Sequence, residues 1–305
     1  MTKAILNRIS LLFYIAIIFI IFNCENNPIN LEKDLLLKKD LYFNKKNNER
    51  YSGTTFSIYS NGRKKSSGSL LNGTKNGLWE YWFPNGHKKS EENYANGKAH
   101  GLWILWHENN KLKLKGSFYE GSPHGIRTEW YENGNKKEQG AFKNNKLDGM
   151  WESWFLNGNK KAEGIYISNK EDGVHSQWHP SGKIKSKAHF SNGEISGLRT
   201  EWYESGGKKE EGTLQGHWNS WYENGNKKGE GYYINFKPEG KHQLWYENGQ
   251  KKSEVTFLNG IPNGSSIEWY ENGNKKEEGN NENGNQIGKW IYYNKDGSID
   301  GIEKY

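Results

Sequence analysis

Asn-Gly recurs along this chain with a step of 24 residues, and that period constrains the fold more than any other feature. Members of the column are Asn61-Gly62, Asn85-Gly86, Asn133-Gly134, Asn157-Gly158, Asn224-Gly225, Asn248-Gly249 and Asn272-Gly273. A glycine column runs in step through Gly53, Gly77, Gly101, Gly125, Gly149, Gly173 and Gly197, then Gly216, Gly240, Gly264 and Gly288, marking eleven units. One step, from Gly197 to Gly216, is 19 residues instead of 24. A fixed period of this size means a repeat array in which each unit covers the apolar face of its neighbour.

Each unit reads as two strands. In the stretch 149–166 an aromatic segment, Trp151 to Phe155, precedes Asn157-Gly158, and a Lys-Lys-x-Glu-Gly segment follows it. Asn-Gly is the strongest short hairpin signal, through the type I′ turn with positive φ at both central residues. A two-residue turn of that kind sets Trp130 opposite Lys137 and Tyr131 opposite Lys136, with a lysine stem over the indole. A second turn column (Asn72-Gly73, Asn96-Gly97, Glu120-Gly121, Asn192-Gly193, Asn259-Gly260, Asn283-Gly284) joins one unit to the next. The expected fold is therefore all-β, an elongated antiparallel single-sheet array of about eleven 24-residue β-hairpin repeats over residues 43–305. The short step between Gly212 and Gly216 cuts one hairpin back to a tight turn, and a notch or bend is expected there.

All 14 tryptophans fall into two columns. Trp79, Trp103, Trp151, Trp218 and Trp290 form the first; Trp82, Trp106, Trp130, Trp154, Trp178, Trp202, Trp221, Trp245 and Trp269 form the second, which closes on Tyr293. Three residues apart on a strand, the two columns point to opposite faces. A third column (Tyr94, Phe118, Phe142, Tyr166, Phe190, Tyr233, Phe257) lies on the returning strands. Stacked rings supply the burial that a thin sheet lacks; a column left open would instead offer a platform for sugar rings or lipid headgroups. His175 and Arg199 interrupt the first column.

The unit W-x-x-W-Y-x-N-G-x-K-K-x-E-G-x-Y-x-N-G-x-x-x-G resembles the variant MORN repeat, as in bacterial proteins of the YwqK-like antitoxin group. The resemblance covers about residues 43–305 and recurs clearly at Trp130, Trp154, Trp221 and Trp269. It implies an antiparallel sheet of hairpins with roles in protein or membrane-lipid contact, and it carries no catalytic motif.

Composition narrows the chemistry. Apolar residues make up only 32%, but aromatics reach 14%, which sets the chain apart from a disordered one. The net charge of +7 arises from lysines interleaved with glutamates rather than from a one-signed stripe, so no nucleic-acid partner is expected. The nine histidines read as sitting at different repeat columns. Carboxylates such as Glu132, Glu138, Glu163, Glu204 and Glu247 recur with the period, whereas a catalytic pair stands off it. No catalytic residue, cofactor-binding residue or metal ligand is assigned, and the chain is not expected to be an enzyme.

The amino terminus reads as an address. Lys3 and Arg8 precede an apolar run, Ile9 to Phe22, of 14 residues, which has the dimensions of a signal peptide. The run ends at Cys24, the only cysteine, in a pattern that resembles a bacterial lipoprotein signal. That resemblance implies a signal peptide over 1–23, lipid attachment at Cys24, and a bacterial envelope location facing outside the cytoplasm. A polar tether is expected over 24–42. The expected partners are a membrane through the lipid anchor and another protein; the alternative is a glycan or phospholipid headgroup held by the aromatic columns. An intracellular antitoxin is disfavoured by the address.

Overall fold

A computed structural model describes residues 27–305. Cys24 and the apolar run lie outside the described residues. The fold is all-β and antiparallel: 23 strands belong to the repeat sheet, and Leu35–Lys38 pairs with Leu41–Asn44 in a separate two-stranded ribbon. The chain divides into two compact units, up to Ser122 and from Pro123 to Tyr305.

The first unit opens with a cap. Part of the segment 24–42, expected as a polar tether, is folded. The strand Ile29–Asn30 lies parallel to Gly53–Ile58, pairing Ile29 with Thr55 and Asn30 with Phe56. A one-turn helix, Leu31–Asp34, follows; Asn30 Oδ1 accepts from the Glu32 and Lys33 amides at 3.0 Å, satisfying donors that a helix start leaves open. The reason for the correction is apolar burial. Leu35 is buried with Tyr51, Leu70 and Trp79, and Ile29 and Leu31 pack against that cluster. The segment therefore covers the outer hairpin of the unit.

Two kinds of turn alternate in both units. In the column joining one unit to the next, both central residues have positive φ, as in Asn192 (55°) and Gly193 (90°), the type I′ geometry. The structure adds Asn144-Asn145, Ser168-Asn169 and Asn235-Phe236 to this column. The first Asn-Gly column differs from expectation. There only the glycine has positive φ: Gly158 (92°) donates to the Phe155 carbonyl at 2.9 Å, and the Phe155 amide donates to the Asn159 carbonyl at 2.8 Å. This is a three-residue loop with a glycine bulge. Consequently Trp130 pairs with Lys136 instead of Lys137, and Trp154 with Lys160.

The asparagine side chain explains the loop. Asn157 Oδ1 accepts from the Asn159 amide at 3.0 Å, and its Nδ2 donates to the Pro180 carbonyl in the next repeat at 2.9 Å. Asn159 Nδ2 reaches the same carbonyl at 2.8 Å. Tyrosines beside these loops add a parallel seam: Tyr222 Oη donates to the Trp245 carbonyl and Tyr246 Oη to the Trp269 carbonyl, both at 2.8 Å. In that column His179 replaces tyrosine, with Nε2 3.1 Å from the Trp202 carbonyl oxygen.

Candidate interaction surfaces

The first Trp column is a packed ladder. In the first unit Trp79 is fully buried, and a Cβ added to Gly68 would sit 2.3 Å from its ring. Trp290 lies on Gly279 in the same way in the second unit. Its Nε1 donates to the Asn280 carbonyl at 3.1 Å, as Trp79 Nε1 donates to Ser69 at 2.9 Å. His175 and His242 occupy the same column, on Gly164 and Gly231, with Nε2 2.8 Å from the Ile165 and Tyr232 carbonyl oxygens. These two histidines therefore share a repeat position, against the expectation, and they continue the ladder by the same type of bond. At two positions both the glycine and the ring are replaced, Ala188 pairing with Arg199 and Val255 with Ser266, whereas Trp103 keeps its ring opposite Glu92.

Edge contacts extend the ladder through the third column. Tyr166 and Phe190 flank His175 at 5.1 and 5.0 Å between ring centroids, and Tyr233 and Phe257 flank His242 at 5.1 Å each. Aromatics of this size bury about 150–250 Å² apiece and dominate the energetics of a core.

The second column is covered differently. In several repeats the lysine after a turn reaches forward to the tryptophan of the following repeat, whereas Lys88 lies 5.7 Å from the Trp82 ring of its own hairpin. Lys136 lies 5.2 Å from the Trp154 ring, Lys160 5.6 Å from Trp178, Lys227 5.5 Å from Trp245 and Lys251 5.6 Å from Trp269. The expected cation–π contact exists, but it crosses between repeats because the three-residue loop shifts the register. Three of these lysines are held by glutamates, and Lys136 by Gln139 at 2.9 Å; Lys160 Nζ lies 2.8 Å from Glu152 and 2.6 Å from Glu163. Such half-exposed pairs are worth about 0–1 kcal/mol each, so they set the lysine over the indole rather than drive the fold.

All fourteen tryptophans are buried or half-buried. Most of the large apolar side chains that do stand exposed are aliphatic, with Phe236 and Tyr119 among the aromatic exceptions. On the face opposite the first column, the second unit presents Ile126 (64% exposed), Met150 (46%), Ile165 (46%), Val174 (55%) and Leu198 (53%). Cross-strand pairing aligns them as Ile126 with Ala141, Met150 with Ile165, and Val174 with His189, in a row across the strands. Beyond the short step the same positions are His217, Lys241, Ser265 and Lys289, so the apolar row stops at the break. Sequence reasoning missed this row because the tryptophans drew attention; its signal was the residue immediately before the first Trp column.

Among the described residues, no group of three or more His, Cys, Asp or Glu is placed to hold a metal ion. No described helix is long and apolar enough to cross a membrane.

Hairpins stapled through asparagine and tyrosine, with rings seated on glycines, define an antiparallel β-hairpin repeat protein. The model of the MORN repeat variant matches residues 75–96, 99–119, 123–144, 171–192, 214–235, 238–259 and 262–283, about half of the chain, and the chain belongs to that family. No curated protein matches it. Among solved structures it is similar to a chain of "Crystal Structure of TcdB2-TccC3-Cdc42", at 10% identity and a TM-score of 0.16, over 89% of this chain and 16% of that one.

Proposed function

We propose that this protein is a non-catalytic, lipid-anchored repeat scaffold of the bacterial envelope that binds another protein through its sheet face. The observation that carries the reading is the aliphatic row from Ile126 to Leu198, exposed on a sheet whose indoles are covered. Exposed contiguous apolar surface rimmed by charge marks an interaction site. The coverage of the second Trp column by lysines speaks for a protein partner over stacking of sugar rings or headgroups. The address rests on the amino-terminal sequence pattern ending at Cys24, which also separates this reading from that of an intracellular antitoxin.

A photo-crosslinking residue at Met150, used on intact cells, tests the binding reading. A discrete protein adduct that disappears in Val174→Glu supports it, whereas adducts confined to lipid or polysaccharide sink it. Fatty-acid labelling of wild type against Cys24→Ala tests the anchor; equal label in both removes it.

A further inference from the structure

The short step removes five residues from the period, and the structure shows what they would have covered. In the preceding repeat the strand Lys170–Trp178 pairs with Ile184–Ser191 from Gly173 onward, Gly173 with Phe190 and Val174 with His189. The Gly193 amide also donates to the Glu171 carbonyl at 2.8 Å. One repeat later, the strand Glu194–Trp202 meets Lys208–Gly212 only from Arg199, which pairs with Gly212. Gly197 and Leu198 have no cross-strand partner on that side, and the Ile195 carbonyl lacks its counterpart of the Gly193 bond. A notch of about 350 Å³ opens between Ile195–Gly197 and the turn Thr213–Gln215.

Two further departures from the repeat meet at the same place. The lysine that should cover Trp202 is Ile184, and the glutamate three residues on is Lys187. Neighbouring repeats keep the pair, as Lys160–Glu163 and Lys208–Glu211. Lys187 therefore has no ion-pair partner among the described residues. On the sheet face beside this edge, over the strands Lys170–Trp178, Ile184–Ser191 and Glu194–Trp202, lies a groove of about 540 Å³, lined by Val174, Lys187, His189, Leu198 and Trp202 among others, with no carboxylate in its wall. The groove and the notch share Ser196 and Gly197.

We infer that the notch, with the groove adjoining it, is a docking site for an extended acidic peptide segment of a partner protein, added as a strand beside Gly197–Leu198. An open strand edge requires an extended backbone as its complement. Leu198 and Lys187 lie on the same face of the sheet, so alternate residues of the added strand place an aliphatic side chain against Leu198 and a carboxylate within reach of Lys187. The inference rests on the protein-binding reading above and names the chemistry of its partner.

The test uses the full chain and a synthetic heptapeptide, Thr-Val-Thr-Asp-Thr-Val-Thr, whose Val and Asp share one face of a strand, followed by tryptophan fluorescence or calorimetry. The expected result is saturable binding that weakens at least tenfold in Lys187→Glu. It is also lost when the five missing residues are restored between Gly212 and Gly216, and when the central Asp of the peptide is replaced by proline. The Lys160→Glu variant serves as a charge control and should bind as wild type does. Equal binding of the same peptide with Lys in place of Asp, or no effect of Lys187→Glu, overturns the proposal, as does absence of binding. In the last case a surviving crosslink at Met150 shows that the scaffold reading stands while the groove assignment fails.

Discussion

His175 Nε2 lies 2.8 Å from the Ile165 carbonyl oxygen, ten residues back, where a tryptophan Nε1 lies in other repeats. A carbonyl only accepts, so the imidazole proton is on Nε2. The ring rests on Gly164, where an added Cβ would be 2.2 Å away, a distance no packed side chain tolerates. At this position the repeat is therefore built as a pair, a bare glycine and a flat N–H donor, as at Gly68 with Trp79 and Gly279 with Trp290.

Gly164→Ala should destabilise the second unit by about 1–3 kcal/mol, the usual cost of overpacking. Gly207 has open space and lacks a positive φ, so Gly207→Ala should be neutral or slightly stabilising. Chemical denaturation of the two variants decides it. Equal stability of Gly164→Ala and wild type would refute the glycine-seat account.

His175→Phe keeps the ring contacts with Tyr166 and Phe190 and removes the donor. A loss of about 1 kcal/mol is expected, the net value of one hydrogen bond plus some cost of the stranded carbonyl. His175→Trp should be tolerated better, because tryptophan fills this column elsewhere. A phenylalanine variant more stable than the tryptophan variant would contradict the assignment.

The two turn classes should answer differently to glycine. Asn192 sits at positive φ (55°), where glycine is free of strain, so Asn192→Gly should change little. Asn157→Gly removes the bonds to the Asn159 amide and the Pro180 carbonyl and should cost about 1 kcal/mol. Thermal melts of both proteins make the comparison, and similar losses would mean that the Asn157 side chain staples nothing.

Glu254 links stability to acid. Hydrogen bonds from Lys241, Lys251 and Gln243 hold its carboxyl down at about 2, against an ordinary value of 4.5. Its folded pKa is depressed, so the contribution is present above pH 4.5 and is lost as pH falls toward 2. Glu254→Gln should be less stable than wild type at neutral pH, and the gap should narrow across that window. A gap that is constant from pH 6 to about 2 would exclude the linkage.

Much of this was legible in the residues. The period located both turn columns, the aromatic columns and the short step, because hairpins are local and their signals repeat. Two assignments failed for one reason. Taken by its own two residues, Asn-Gly calls for a type I′ turn, and that register sets the lysine over the indole of its own hairpin. Asn157 instead bonds across to Pro180 and Lys136 reaches forward to Trp154, contacts between repeats that no single unit contains. The cap escaped notice because residues 29–44 stand outside the period, and only the uncovered Leu70 and Trp79 explain why they fold.

The sequence by itself determined the all-β hairpin repeat, the family, and the positions of rings, glycines and the break. Strand alternation and turn chemistry act over a few residues and are written in the chain. Tertiary structure decided which apolar surface remains open. Indoles bury themselves on glycines and under lysines supplied by neighbouring repeats, while the aliphatic row from Ile126 to Leu198 and the strand edge at Gly197 find no such cover. Exposure depends on what the neighbouring repeat supplies, and so it could be read only once the strands were paired.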